Sequence, residues 1–160
     1  MKPEEKARAI IDRMFEEAGW KVVDRDKYVP NMTAVAIREG LMVGNREADY
    51  LLFLNGKAVG VLEAKRIETD INSDIVQEQA RLYTRSCPKW CQAWFPNIPL
   101  PLAYVANSRD LMFYDTRKSN SEFEYCKKIH TPKEVKKLLG LEDDYVGLPT
   151  LSPKGLRACQ

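Results

Sequence analysis

The sequence predicts an α/β fold, in which helices flank a mixed β-sheet. Three observations predict it. A helical stretch with an apolar stripe opens the chain, two apolar runs joined by a tight-turn signal follow, and a second helical stretch comes directly after them. The length of 160 residues is enough to bury one core of this kind.

The first predicted helix covers roughly residues 3–18. Its apolar side chains recur at helical spacing, at Ala7, Ile10, Ile11, Met14 and Phe15. Gly19 ends the helix, and short strands are predicted near residues 20–23 and 34–38.

A β-hairpin is predicted next. Residues 48–54 and 58–65 are apolar strand-like runs, and Asn55-Gly56 between them is a preferred two-residue turn. An antiparallel pair that turns at this point brings the far ends of both runs together.

Three charged residues lie at those far ends. Asp49 is near the start of the first run, and Glu63 and Lys65 share one face at the end of the second. Two carboxylates and an ammonium suit metal-dependent phosphodiester hydrolysis, because the carboxylates hold Mg²⁺ and leave coordination sites for water and phosphate. The alternative is a solvated hairpin with ordinary strand-end charges.

A second helix is predicted over roughly residues 73–85, with Asn72 or Ser73 as its N-cap. Gln79 and Tyr83 are four positions apart and share a face of this helix. Their polar groups suit a phosphate oxygen or the orientation of the charged cluster, although both residues are also common at the boundary of an amphipathic helix.

Residues 87–101 hold two tryptophans, a phenylalanine and four prolines, which predicts a loop packed by its aromatics. Lining a DNA groove or a partner is the alternative for this loop. Strands near residues 102–106 and 111–115 complete the sheet, and a last helix begins at Thr131 and ends at Gly140.

Several of these segments together resemble the N-terminal endonuclease domain of type I restriction enzyme R subunits, a branch of the PD-(D/E)xK nucleases. The main similarity lies in residues 48–53, residues 59–65 and the Gln79-x-x-x-Tyr83 pair. Residues 3–12, 18–20 and 35–39 also look like the corresponding parts of these subunits. The resemblance implies a restriction-endonuclease-like core.

The resemblance also implies residue roles. Asp49 and Glu63 match the acidic pair that binds the metal, and Lys65 matches the catalytic lysine. Gln79 and Tyr83 match the Q-x-x-x-Y element of this branch. Mg²⁺ is the implied cofactor.

An acidic residue on the first helix supports the metal in the wider superfamily. Glu5 is the candidate here, with Glu4 and Glu16 as rivals. The proline of the superfamily name is missing, since Ala48 precedes Asp49, but that proline is often absent in this branch.

The function implied is a Mg²⁺-dependent DNA endonuclease domain of a type I restriction R subunit. Its partners would be double-stranded DNA and the methylation and specificity subunits, and ATP would be used only by motor domains absent from this chain. The alternatives are a non-catalytic DNA-clamping or subunit-docking module on the same fold, or a stand-alone repair nuclease.

Residues 1–125 are interpreted as the nuclease domain, and residues 126–160 as a helix and a connector towards a motor domain. The final Leu156-Arg157-x-x-Gln160 looks like the entry to the first motor domain of an R subunit. The sequence has no G-x-x-x-x-G-K-S/T phosphate loop, so ATP hydrolysis is not expected in it.

The formal net charge of +2 is too small to indicate nucleic-acid binding by itself. The basic residues expected around the site are more informative, and they are Lys65, Arg66, Arg81, Arg85 and Lys89. No stretch resembles a secretory signal or approaches the ~18 apolar residues needed to cross a bilayer. The chain is expected to be cytoplasmic, without a membrane partner.

Cysteine and histidine usage gives little support to other metal chemistry. The four cysteines, Cys87, Cys91, Cys126 and Cys159, are expected as reduced thiols. An iron–sulfur or zinc site at Cys87 and Cys91 is the alternative, but the usual companion spacing is missing. The sole histidine, His130, is expected to pack or to face solvent.

Overall fold

The structure is a computed structural model that describes residues 2–95, 97–118 and 122–141. The chain divides into two compact units, residues 1–129 and 130–160. The helices are α1 (Pro3–Glu17), α2 (Asp74–Thr84) and α3 (Pro132–Leu139), and a 3₁₀ turn covers Arg25–Lys27. The strands are β1 (Lys21–Asp24), β2 (Ala34–Leu41), β3 (Glu47–Leu54), β4 (Lys57–Ala64), β5 (Gln92–Ala93), β6 (Leu102–Ala106), β7 (Leu111–Asp115) and β8 (Glu124–Cys126).

The described strands form one mixed sheet. Its order is β1-β2-β3-β4-β6-β7-β8, and β5 pairs with β4 off this path. β1 runs parallel to β2, and β4 runs parallel to both β5 and β6, whereas the remaining neighbours are antiparallel. This mixed sheet with its helices confirms the predicted α/β class.

Adjacent residues of β3 show that α1 and α2 cover opposite faces of the sheet. The ring of Tyr50 packs against Phe15 of α1, with 5.0 Å between the ring centroids. Leu51 points to the other face and belongs to an apolar cluster with Val76 and Ala80 of α2. Burial on both faces explains why β3 and β4 are continuous apolar runs.

The sequence pattern does not predict β5 and β8. β5 has only two residues and lies inside the predicted loop. β8 has three residues with largely exposed side chains, and its antiparallel pairing with β7 places it. The predicted domain boundary after residue 125 falls within β8, and the first compact unit extends to residue 129.

Aromatic packing of the loop after α2 is confirmed. The ring of Trp90 lies 5.6 Å from Phe53 and 6.3 Å from Tyr28, measured between centroids. Its indole N–H donates a 2.9 Å hydrogen bond to the Leu41 carbonyl oxygen. These contacts attach the loop to β2 and β3.

Gly60 lies where β4 and β6 approach closely. A Cβ at this position would lie 2.6 Å from the carbonyl oxygen and 2.9 Å from the Cβ of Leu102, so the two strands would have to separate. We expect Gly60→Ala to lower the free energy of unfolding by about 2–4 kcal/mol, measured by urea denaturation. Gly44 has a positive φ but open space around it, so Gly44→Ala should cost only about 1 kcal/mol. Equal losses in the two variants would contradict the steric argument.

The second unit contains α3, which is capped as predicted. The Thr131 hydroxyl accepts a 3.1 Å hydrogen bond from the Glu134 backbone N–H, and the Glu134 carboxylate accepts one of 2.8 Å from the Thr131 N–H. Gly140 ends the helix with a φ of 71°. His130 precedes the cap and is half-buried. The predicted connector and the Leu156-Arg157-x-x-Gln160 pattern lie outside the described residues.

Candidate active site

The hairpin of β3 and β4 brings Asp49 and Glu63 together. Tyr50 pairs with Leu62 in the antiparallel register, so the next step along the ladder sets Asp49 opposite Glu63. Directly opposed residues of an antiparallel pair point to the same face of a sheet. Asp49 and Glu63 therefore share the face that α2 covers.

Hydrogen bonds tie the two carboxylates to the opposing strand. The Asp49 backbone N–H donates to Glu63 Oε2 at 3.1 Å. In return, the Ala64 backbone N–H donates to Asp49 Oδ2 at 2.7 Å. Each carboxylate is thus oriented by a backbone N–H of the opposite strand, which leaves its second oxygen for other interactions.

Lys65 follows the last residue of β4, and two contacts hold it. Its backbone N–H donates to the Ala106 carbonyl oxygen at 2.7 Å. Its Nζ donates to Gln79 Oε1 of α2 at 2.8 Å. The structure therefore brings Gln79 to Lys65, as the sequence suggested.

Tyr83 lies one turn further along α2. Its hydroxyl donates to the Glu47 carbonyl oxygen at 3.0 Å, so it braces the start of β3. Burial raises the pKa of Tyr83, and the negative charges of Glu63 and Asp49 raise it further. The hydroxyl therefore stays protonated, as a donor to this carbonyl requires.

Arg8 of α1 also reaches the site, although no sequence motif pointed to it. Its guanidinium forms an ion pair with Asp49 Oδ1. Arg8 and Asp12 are four positions apart beside the apolar stripe of α1, a spacing that places both on one face of the helix. This spacing is the one feature of the sequence that points to Arg8, and it does not indicate which residue Arg8 contacts.

The candidate metal residue on α1, Glu5, lies one turn before Arg8 and is exposed. Its rival Glu16 is also exposed, and the side chain of Glu4 lies outside the described part of the chain. Arg8 is the α1 side chain that contacts Asp49. A metal-supporting role for Glu5 stays a prediction.

These groups surround a cavity of about 360 Å³. Its lining consists of Ala7, Arg8, Glu47, Asp49, Glu63, Ala64, Lys65, Arg66, Thr69 and Gln79. Tyr83 is not part of this lining. The cavity therefore has three carboxylates and three cationic side chains around one space.

Both carboxyl groups at the base of the cavity have pKa values above the ordinary range. Burial raises the pKa of Glu63 to about 8, and the negative charge of Asp49 adds to the effect. Burial also raises the pKa of Asp49, against the opposing effects of the Ala64 N–H, Arg8 and Lys65. Two buried acids side by side favour the arrival of a compensating cation.

The donor set fits Mg²⁺ better than a metal that requires a full protein cage. Among residues 2–95, 97–118 and 122–141, no three acidic, cysteine or histidine side chains are grouped as metal ligands. Mg²⁺ commonly uses one or two carboxylates and completes its shell with water and substrate phosphate. Asp49 and Glu63 supply such a pair, and neither sulfur nor imidazole ligands are needed.

Only some of the basic residues expected around the site line it. Lys65 and Arg66 do. The Arg81 guanidinium instead lies 5.3 Å from the ring centroids of both Tyr114 and Phe123. Guanidinium groups interact favourably with aromatic faces in this way. Arg85 pairs with Glu78 on the surface of α2, and Lys89 is exposed in the following loop.

Cys87 and Cys91 are free thiols with their sulfur atoms 3.7 Å apart. Burial raises the pKa of both thiols, which disfavours the thiolate form that binds metal. Cys126 is also free, and burial raises its pKa to about 11. Cys159 lies outside the described residues.

Residues 28–139 match the family described as the second domain of the type I restriction enzyme EcoKI endonuclease subunit. This chain belongs to that family. The match includes Asp49, Glu63, Lys65, Gln79 and Tyr83 and excludes α1. The relationship to type I restriction endonuclease subunits is thereby confirmed. The family description names a second domain, whereas the resemblance found in the sequence was to an N-terminal one.

A solved structure has a similar fold. It is a fragment assigned to the HsdR subunit of a type I restriction enzyme from Vibrio vulnificus YJ016, with a TM-score of 0.52 and 19% sequence identity. The similarity covers 88% of this chain and 26% of that chain. The family member described here thus spans about a quarter of that chain's length. No curated protein matches the chain.

The described part of this family member contains no helix that is long and apolar enough to cross a bilayer.

Proposed function

We propose that this chain is the DNA-cleaving domain of a type I restriction endonuclease subunit and hydrolyses phosphodiester bonds with Mg²⁺. The observation that carries the proposal is the reciprocal hydrogen bonding of Asp49 and Glu63 at the base of a cavity that also contains Lys65. Family membership supports the restriction role. The PD-(D/E)xK assignment is part of this proposal.

Asp49 and Glu63 would hold the metal with the carboxylate oxygens that face the cavity. Mg²⁺ bound there would supply Lewis-acid polarisation of a phosphate oxygen and would lower the pKa of a water. The Lys65 ammonium donates a hydrogen bond to Gln79, and both residues line the cavity. From that place the ammonium orients the attacking water or stabilises negative charge that develops on the phosphate.

Gln79 and Tyr83 are positioning residues in this proposal. Gln79 accepts a hydrogen bond from Lys65, and Tyr83 fixes the start of β3 two residues before Asp49. Both residues lie on α2, so one helix sets the place of the ammonium and of the first carboxylate. The partners of the domain would be double-stranded DNA and the methylation and specificity subunits of the restriction complex.

A second candidate is a DNA-clamping or subunit-docking module on the same fold. The ion pair of Arg8 with Asp49 favours it, because a guanidinium already compensates the charge that a metal would otherwise neutralise. The two candidates differ in whether a divalent cation binds at the carboxylates.

Isothermal titration of the protein with Mn²⁺ separates the two functions. We expect the wild type to bind one ion, and Asp49→Asn and Glu63→Gln each to weaken binding at least about tenfold, since loss of a residue that only orients a metal ligand already costs about that much. Asp26→Asn, which changes an exposed acid in the 3₁₀ turn, is the matched control and should bind like the wild type. Mg²⁺-dependent nicking of supercoiled plasmid should likewise be seen with the wild type and Asp26→Asn and be reduced in Asp49→Asn and Glu63→Gln.

A wild type that binds no Mn²⁺ at millimolar concentration would contradict the nuclease proposal and favour the clamp. Binding that survives both substitutions would place the ion elsewhere and would contradict it equally.

A further inference from the structure

The Arg8 guanidinium contacts the Asp49 oxygen that would otherwise be available to a divalent cation. Asp49 Oδ2 accepts the Ala64 backbone N–H at 2.7 Å. Asp49 Oδ1 forms the ion pair with the Arg8 guanidinium. Both oxygens of this carboxylate are therefore engaged within the protein.

Glu63 has a different environment. Its Oε2 accepts the Asp49 backbone N–H, and within the described part of the chain its Oε1 makes no hydrogen bond. Only 3% of Glu63 is exposed to solvent. The guanidinium thus contacts one of the two carboxylates that the proposed metal requires, whereas within the described residues the other carboxylate, Glu63, forms no ion pair.

Hydrogen bonds hold α1 at this point, whereas the Arg8 side chain is held within the described residues by its ion pair with Asp49. The Tyr50 hydroxyl donates to Asp12 Oδ1 at 2.6 Å, and Arg38 Nη2 donates to Asp12 Oδ2 at 3.0 Å. The same Tyr50 hydroxyl lies 3.3 Å from the Arg8 carbonyl oxygen. These bonds hold the helix against the sheet.

The Arg8 side chain extends from that fixed point, is 32% exposed and lines the cavity. Rotation about its own bonds is therefore enough to move the guanidinium away from Asp49, and the helix does not need to shift. A guanidinium matches the geometry of a phosphate group as well as that of a carboxylate.

We propose that Arg8 is a switching residue that pairs with Asp49 in the metal-free protein and moves to a DNA phosphate when a divalent cation binds. This inference rests on the proposed function, because it requires a metal at Asp49 and Glu63. Its consequence is that the divalent cation and the phosphodiester bind cooperatively. A phosphate that attracts Arg8 exposes Asp49 to the cation, and by linkage the cation increases affinity for the phosphate equally.

The test is Mn²⁺ titration with and without a short DNA duplex, on the wild type and three variants. Arg8→Gln removes the charge, Arg8→Lys keeps the charge without the planar fork, and Arg13→Gln changes an exposed arginine of α1 as the matched control. We expect duplex DNA to tighten Mn²⁺ binding by the wild type and by Arg13→Gln about tenfold, in the usual range of coupling between sites.

Without DNA, Arg8→Gln should bind Mn²⁺ about tenfold more tightly than the wild type, since no cation competes for Asp49. Duplex DNA should then add less than about twofold, because the coupling is lost. Arg8→Lys should retain only part of the coupling. If Arg8→Gln fails to fold, as judged by circular dichroism, this comparison with Arg8→Lys decides the question.

Failure of this inference is distinguishable from failure of the nuclease proposal. Equal Mn²⁺ affinities and equal DNA enhancement in the wild type, Arg8→Gln and Arg8→Lys would overturn the switching role while Asp49→Asn still loses the ion. Absence of Mn²⁺ binding in every variant would overturn the metal site, and the switching role with it.

Discussion

Lys65→Met is expected to slow Mg²⁺-dependent strand cleavage by about 10²–10³-fold, the usual cost of removing one donor that stabilises charge in a transition state. Methionine has a similar length and no charge. The loss should lie in the rate and not in metal binding, because the Lys65 ammonium bonds to Gln79 and to neither carboxylate. Single-turnover cleavage of plasmid DNA gives the rate, and Mn²⁺ titration gives the affinity.

Lys57→Met is the matched control for this substitution. Lys57 lies at the opposite end of β4, where its ammonium is 4.9 Å from the ring centroid of Trp94. Its loss should leave the cleavage rate within about twofold, since surface substitutions away from a site have small effects. A Lys65→Met protein that cleaves like the wild type, or that no longer binds Mn²⁺, would contradict a direct catalytic role for Lys65.

The central hairpin could be predicted because its signals are local. Asn55 and Gly56 both adopt positive φ, 49° and 83°, as the predicted turn requires, and the apolar runs on either side become β3 and β4. The turn brings Asp49 and Glu63 to the same end of the hairpin, and a register shift between Leu52 and Phe53 then sets the two residues opposite each other. The pair of carboxylates is therefore encoded within about 15 consecutive residues.

β8 and the contacts of Arg8 could not be predicted, because tertiary neighbours determine them. β8 has no apolar alternation, and its place depends on β7 having a free edge. The ion pair of Arg8 joins residues 41 positions apart on a helix and a strand. The family resemblance implied acidic support from Glu5 on α1, whereas the α1 side chain that contacts Asp49 is a cation, Arg8.

Gln79 and Tyr83 of α2 could be predicted in part. Their shared face followed from the four-residue spacing, but their partners depended on how the helix packs. Gln79 reaches Lys65 as expected, whereas the Tyr83 hydroxyl bonds to a backbone carbonyl of β3. Side-chain periodicity thus identified the correct face of α2 and could not assign each residue on it to an atom.

The metal-free protein is expected to lose stability as the pH rises, because Glu63 is buried. The pKa of Glu63 is about 8 in the folded protein, raised from its ordinary value of 4.5. Below about pH 4.5 the carboxyl is neutral in both states, so its contribution to stability is fully present. Between pH 4.5 and pH 8 the unfolded chain releases this proton more readily than the folded one, and the free energy of unfolding falls.

Glu63→Gln should remove this dependence. The amide stays neutral, and its carbonyl oxygen can still accept the Asp49 backbone N–H. Between pH 5 and pH 8.5 we expect the free energy of unfolding of the wild type to fall by on the order of 2–3 kcal/mol more than that of Glu63→Gln. The measurement is urea denaturation in the presence of EDTA. One unit of pKa shift corresponds to about 1.4 kcal/mol, and the interaction with Asp49 divides the shift between two acids.

Asp26→Asn is again the control, since this exposed acid should give a difference from the wild type that does not change with pH. Parallel stability curves for the wild type and Glu63→Gln would show that Glu63 ionises normally in the folded protein. In that case burial would not be what makes the base of the cavity attract a cation, and the electrostatic argument for the metal site would lose its support.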